Sequence, residues 1–240
     1  MPPRRQIRAM FESISGRYDL GNRVLSLGID RRWRRYVSLQ IAKLHPCTVL
    51  DLCCGSGDLA LSVLPAVPEA TRCVGIDLAE GMLSQARSKA EKRGHAHHLA
   101  FLAGDIENMP FPDHAFDVAM VGFGIRNVES IPNAIREVIR VLRPGGTFFS
   151  LEFSKTNSFP LKYLYPFYLH HVLPRVGGWI SGEPGAYRYL AESITAFPDQ
   201  PSLASAFEAG GLQDVHWTNL SGGIVAVHVG RAPGAALQGR

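Results

Sequence analysis

An α/β fold, with a mainly parallel sheet and helices on both faces, is what this sequence predicts, and three observations predict it. From about Val49, short apolar runs alternate with helix-like segments, the pattern of strands buried on both faces and joined by crossovers. Asp51, Asp77 and Asp105 stand at the ends of three successive apolar runs, at the sheet edge where open α/β folds bind ligands. The chain has 240 residues, 46% of them hydrophobic and 19% charged, enough to bury one substantial core.

Taken in order, residues Met10 to Leu44 look helical and lie outside the alternation. Strands are predicted at Thr48 to Cys53, Arg72 to Ile76, Leu99 to Leu102, Phe116 to Val121 and Gly146 to Phe153. Helices fall between them at Leu59 to Leu64, Ala79 to Arg93 and Pro132 to Leu142. The last places Ile131, Ile135, Val138, Ile139 and Leu142 on one face and is stopped by "RPGG". From Ser158 to Arg175 a segment rich in Pro, Tyr, Phe, Leu and His breaks the rhythm, and it is the natural source of a substrate lid. Two more helical stretches follow. Then "LQDVHWTNLSGGIVAVHVG" reads as two strands around a Ser-Gly-Gly turn, and Ala232 to Arg240 reads as a frayed tail.

The formal net charge of +4 is too mild to hold the protein on nucleic acid, but its distribution is uneven. Arg4, Arg5 and Arg8 precede a second cluster, Arg31, Arg32, Arg34 and Arg35 around Trp33. The cluster fits either a surface for anionic headgroups or a solvated helix face with Trp33 turned inward. No run approaches the ~18 to 20 apolar residues that cross a bilayer, and no secretory stretch opens the chain, so an intracellular, cytoplasmic protein is expected. Cys47, Cys53, Cys54 and Cys73 are even in number, yet disulfides are not expected in that setting, and the spacing suits no metal site.

The segment "VLDLCCGSGDLAL" sends a strand into a tight turn in which Gly55 and Gly57 let the backbone approach a ligand. A dinucleotide fingerprint would need a third glycine, and no basic residue follows to meet a pyrophosphate. Asp77, about 20 residues beyond Gly57, can accept bonds from ribose hydroxyls. Asp105 with Ile106 can pair with an adenine amino group and cover the ring. Each aspartate taken singly could be a helix cap or a turn residue. Together, three carboxylates at consecutive strand ends suit a cationic nucleoside ligand, S-adenosylmethionine rather than NAD.

Beyond these residues, "YDLGNRVLSLGIDRRWRR", "DLCCGSGDLAL", "GFGIRNV", "VLRPGG", "LEFSK", "YRYLAESI" and "FPDQ" give the chain a close resemblance to the ubiquinone/menaquinone-biosynthesis C-methyltransferases. It spans roughly Met10 to Gly230. The resemblance implies a Rossmann-like class I methyltransferase, with a seven-stranded sheet whose last strand is antiparallel. Residues 1–46 would form a helical extension sharing in the substrate cap, 47–231 the cofactor-binding domain with a lid at about 156–198, and 232–240 a tail. It implies cofactor contacts at Asp51, Gly55, Ser56, Gly57, Asp77, Leu78, Met82, Asp105, Ile106 and Gly122. Ser56 stands where many members have threonine, which preserves the hydroxyl. The "CCGS" form resembles members from photosynthetic lineages that act on phytyl-naphthoquinols.

The reaction so implied methylates a ring carbon of a prenylated quinol beside a ring hydroxyl. Carbon is a poor nucleophile until that hydroxyl loses its proton, so the site needs phenolate stabilisation, a proton route and alignment with the methyl. Arg126 in "GFGIRN" suits the electrostatic role, with Asn127 beside it. For the base, His171 with His170 in the aromatic insertion, or Tyr187, Tyr189, Tyr18 and Asp19, are the candidates. Against them stands ordinary packing with satisfied polar groups. "FPLKYLYPFYLHHVLP" has the composition of a channel wall for the tail, and a membrane-borne substrate gives the basic N-terminal region a role in peripheral docking at the inner face of the membrane. The resemblance leaves room for a homodimer. Rival readings are a methyltransferase for another small phenolic or carbon acceptor, a silent scaffold of a quinone-biosynthesis complex, and an NAD-dependent reductase.

Overall fold

In the computed structural model, which describes residues 4–234, the strands are β1 (Thr48–Leu52), β2 (Arg72–Asp77), β3 (Leu99–Ala103), β4 (Phe116–Gly122), β5 (Leu142–Phe153), β6 (Gln213–Leu220) and β7 (Val225–Arg231). They form one seven-stranded sheet in the order β3-β2-β1-β4-β5-β7-β6. The first five are mutually parallel, and β7 inserts antiparallel between β5 and β6. This is the predicted mixed sheet with one antiparallel strand. The turn between β6 and β7 is possible because Gly222 and Gly223 take φ of 67° and 91°.

Alternate side chains of β1, β4 and β5 enter two cores, which is why β1 and β4 are mostly apolar and β5 carries Phe148, Phe149 and Leu151 in its buried part. On one face Leu50, Ala119, Val121 and Phe148 pack with α6 (Ile131–Val141) and α10 (Gln200–Ala209), with Phe148 and Phe207 ring to ring at 5.5 Å. On the other, Val49, Val118, Met120 and Phe149 pack with α3 (Asp30–Ala42) and α4 (Asp58–Val63), while α5 (Glu80–Lys92) contributes Ala90. β6 is the edge, and its mainly polar, exposed residues match that position.

A third, smaller core lies above the C-terminal ends of the strands. It joins α1 (Arg4–Ile14) and α2 (Tyr18–Leu25) to the insertion, which forms α7 (Leu161–Phe167), a π-helical turn, α8 (Leu173–Ser181) and α9 (Pro184–Ala196). The π turn has a local cause. Leu173 N–H reaches back to Tyr168 O, and Pro174 has no N–H with which to resume the tighter ladder. Tyr168 Oη donates to Leu25 O at 2.7 Å and Arg17 Nη1 to Ile180 O at 3.3 Å, so the N-terminal segment and the insertion are tied together.

The basic cluster splits on inspection. Trp33 is buried, donates from Nε1 to Ser221 Oγ at 2.8 Å and lies against Phe123 and Phe153. Arg34 is also buried, paired with Asp30 at 2.5 Å and near Asp58 at 3.6 Å, so it cannot serve a surface. Arg31, Arg32 and Arg35 are exposed, as are Arg5 and Arg8, while the side chain of Arg4 lies outside the described ones. At the other end Ala232 is buried and exchanges bonds with the Gly145–Gly146 backbone rather than fraying, and residues 235–240 lie outside the described part.

Candidate active site

The turn after β1 is built by backbone that side chains rarely tolerate: Cys53, Gly55 and Gly57 have φ of 50°, 53° and 78°. At Gly57 a Cβ would come 2.9 Å from Phe101 and 3.1 Å from Ala86, so that glycine serves packing as well as the turn. Two aspartates brace the loop. Asp51 Oδ2 accepts from Ala60 N–H at 3.1 Å, while its Oδ1, buried, has no partner, and burial pushes its carboxyl up to about 8. Asp77 accepts from Gly55 N–H at 2.8 Å and Ala79 N–H at 2.9 Å, clamping the turn to the start of α5, and burial raises its carboxyl too. Asp105 makes a local turn of the same kind with Glu107 N–H at 2.9 Å. All three aspartates are thus backbone caps, and all three also line a cavity.

Two adjoining cavities lie over the strand ends. The smaller, about 80 Å³, is lined by Gly55, Asp77, Leu78, Met82, Asp105, Ile106 and Gly122, with Asn127 and the N-terminal residues Ile7, Arg8 and Phe11 closing it. Seven of the ten predicted cofactor contacts therefore meet in one place, two carboxylates among apolar side chains and glycines. Those residues fit an adenosyl ligand: two strand-end carboxylates, a glycine turn and Ile106 as a cover for a ring. Asp51 and Ser56 line the larger cavity, and Gly57 lines neither. Ser56 has other partners. Its hydroxyl donates to Asp19 at 2.6 Å and accepts from Lys89 at 2.8 Å, and Lys89 also pairs with Asp19 and Asp58.

The larger cavity, about 350 Å³, is mainly apolar, with Met10, Ile14, Leu25, Leu164 and Leu169 on its walls and Arg126, Tyr18, Tyr187 and Tyr189 among them. Phe11, Tyr18, Cys53, Gly55, Gly122 and Phe123 line both cavities and so form their common wall. Arg126 lies on the larger side and Asn127 on the smaller, so consecutive residues straddle the junction. Arg126 is almost fully buried, its guanidinium donating to Phe123 O at 2.5 Å and Glu152 Oε1 at 2.7 Å and lying 5.6 Å from the Phe153 ring centre. Asn127 accepts from Tyr189 Oη at 2.9 Å. Tyr187 is buried against Gly21 and Gly177. Burial raises the hydroxyls of Tyr18 and Tyr189, which keeps them neutral donors.

His171 is not brought to this site. It is exposed on the lid, stacked 4.7 Å from Phe167, and lines neither cavity. His170 is exposed too. Sequence reasoning passed over Glu152, the buried partner of Arg126. The signal was there: a single carboxylate inside "FFSLEF", in a strand otherwise buried on both faces, where a charge persists only with a partner. Among the described residues no group of three or more His, Cys, Asp or Glu could hold a metal ion.

Class follows from fold and site together. The chain superposes on a S-adenosylmethionine-dependent methyltransferase from Aquifex aeolicus with a TM-score of 0.58 at 17% identity, covering 82% of this chain and 92% of that one. It also superposes on a putative methyltransferase solved with the Haloferax volcanii Trm112 activator, TM-score 0.67 at 18% identity, covering 93% and 97%. These likenesses define the class I methyltransferase fold. The profile of the ubiE/COQ5 methyltransferase family matches residues 3–232, and the chain belongs to that family. It is similar to the ubiquinone/menaquinone biosynthesis C-methyltransferase UbiE of Coxiella burnetii, 40% identical over 94% of this chain and 90% of that protein. The enzyme of the same name from Proteus mirabilis is 39% identical over 93% and 89%. The chain is a methyltransferase, and S-adenosylmethionine is its methyl donor.

Proposed function

We propose that this enzyme methylates a ring carbon of a prenylated quinol, with the nucleoside in the smaller cavity and the quinol in the larger. The observation that carries this reading is the common wall: a cavity of nucleoside-binding character and an apolar cavity meet where Arg126 and Asn127 sit. When bound, S-adenosylmethionine supplies an electrophilic methyl on sulfonium. Asp77 and Asp105 hold the adenosyl portion, with Leu78, Met82 and Ile106 against it. Across the wall Arg126 would stabilise the ring oxygen as its proton passes to solvent, electron density would move onto the adjacent carbon, and that carbon would take the methyl as the methyl–sulfur bond breaks to leave S-adenosylhomocysteine, its own hydrogen then returning as a proton to the ring oxygen, so that one proton in all is released. Tyr18, on both cavities and neutral, donates a hydrogen bond at the junction. The apolar walls exclude water and accept the first part of the tail.

The tail leaves where Leu27, 85% exposed, and Leu164, 56% exposed, rim the larger cavity. Exposed Arg31, Arg32 and Arg35 stand near that rim in the chain, and no helix among the described residues is long and apolar enough to cross a membrane. Peripheral contact with an anionic bilayer is the mode of substrate supply that fits. Incubating the protein with methyl-labelled S-adenosylmethionine and either a demethylated prenyl-naphthoquinol or a prenyl-benzoquinol tests the reading. Label on a ring carbon of one acceptor is expected. Transfer to simple phenols but to neither quinol would overturn it.

A further inference from the structure

Glu152 is a buried carboxylate that the chemistry above leaves without a task, and its placement gives it one. It ends the buried part of β5, one strand over from the turn that carries Arg126, and is 1% exposed. Its Oε1 accepts from Arg126 Nη1 at 2.7 Å and from Phe153 N–H at 2.9 Å; its Oε2 and Arg126 Nε have no hydrogen-bond partner. Arg126 lines the larger cavity and Glu152 does not, so the carboxylate stands behind the guanidinium, on the side away from the substrate. A buried pair of this kind contributes little stability, because the cost of taking both charges out of water offsets their attraction. Its effect is felt by a third charge, such as an oxyanion forming in the cavity.

We infer that Glu152 is a positioning residue that acts through Arg126: it fixes the guanidinium at the cavity wall and limits how strongly that guanidinium stabilises the ring oxyanion. The inference rests on the quinol-methylating reading above. An unpaired guanidinium would ionise the ring hydroxyl easily, but an oxyanion stabilised that far pushes less density onto carbon. A nucleophile weakens as its conjugate acid strengthens, with a slope of about 0.4 to 0.5 where it has been measured for thiolates. Sharing the guanidinium with Glu152 keeps the oxyanion basic enough to react. The other titratable groups in the field of the pair are Tyr18 from α2, Cys53 from the glycine turn, Tyr165 from α7 and Tyr189 from α9. Burial raises all four, so they stay uncharged; the further ionisable groups acting on them are Arg34 and Asp77 at Tyr18 and Asp77, Asp51 and Asp105 at Cys53, none of which a Glu152 variant removes. The carboxyl of Glu152 is itself raised by burial, against the pull of Arg126.

The test is the pH dependence of kcat for Glu152→Gln, which keeps an acceptor oxygen for Arg126 and Phe153 and removes the negative charge. The acidic limb should move to lower pH by about one unit, the shift that loss of a nearby like charge brings. The plateau should fall by about threefold, from the thiolate slope. Glu152→Asp keeps the charge but draws it back by one methylene, so its limb should fall between wild type and Gln; it decides the matter if the Gln variant does not fold. Melting temperature and S-adenosylhomocysteine affinity serve as controls. A limb that coincides with wild type in both variants, whatever the rate, overturns the inference and makes the pair a packing device. A wild-type protein that methylates neither quinol fails the reading of function instead, so the two failures are distinguishable.

Discussion

At the scale of single residues, one side chain can both brace a turn and line a cavity. Asp51 caps α4 from the end of β1, and its second oxygen has no partner. Its folded pKa of about 8 lies above the ordinary 3.8, so the folded state holds the proton more tightly. The stabilising contribution is full below about pH 4 and is lost as pH rises towards 8, with a slope of at most about 1.4 kcal/mol per pH unit. Asp51→Asn keeps an acceptor for Ala60 N–H, so denaturant unfolding of that variant between pH 4 and 8 should be flatter than wild type. At Asp77 the outcome is different in kind. Asp77→Ala should weaken S-adenosylhomocysteine binding by at least tenfold in calorimetry, since it removes both the carboxylate proposed to hold the nucleoside and the brace of the Gly55 turn, each a hydrogen-bond loss of about 1 to 3 kcal/mol. The positions of Asp77 and Asp105 were legible in the sequence because strand ends and turn glycines are local signals. The pairing of Arg126 with Glu152 was not, because it joins the turn after β4 to β5, 26 positions on, through side chains.

Among elements, the lid and the N-terminal helices hold each other by close packing around Tyr187. A Cβ on Gly21 would strike the Tyr187 hydroxyl, and one on Gly177 would strike its ring. Gly21→Ala and Gly177→Ala should each lower stability by about 1 to 3 kcal/mol, the usual cost of overpacking. Tyr187→Phe should relieve the first and not the second, which thermal melts of the double variants would read directly. The alternation of strands and helices from Val49 to Phe153 was legible because buried parallel strands write themselves as apolar runs. The lid was legible only as an interruption. What the interruption packs against depends on Tyr168 meeting Leu25 and Arg17 meeting Ile180, contacts across more than a hundred positions that no local pattern records. His171 shows the same limit: an imidazole in an aromatic helix carries no mark of which face it occupies, and here it faces out.

On the scale of the whole molecule, exposed Arg31, Arg32 and Arg35 follow closely in the chain on Leu27, an exposed apolar residue of the larger cavity. Reversing Arg31, Arg32 and Arg35 to glutamate should reduce sedimentation with anionic liposomes at low salt and spare activity towards a short-tailed, water-soluble quinol; unchanged sedimentation would count against bilayer contact. Arg34 is left out because its partners are Asp30 and Asp58 inside the fold, a distinction that residue type alone could not make. The smaller cavity has Arg8 in its lining and the larger has exposed Leu27, so on the proposed function donor and quinol occupy separate chambers. On that proposal, spent nucleoside exchanges for fresh donor in the smaller cavity while the quinone stays in the larger. Steady-state kinetics should accordingly be random in order, with S-adenosylhomocysteine competing against the donor alone.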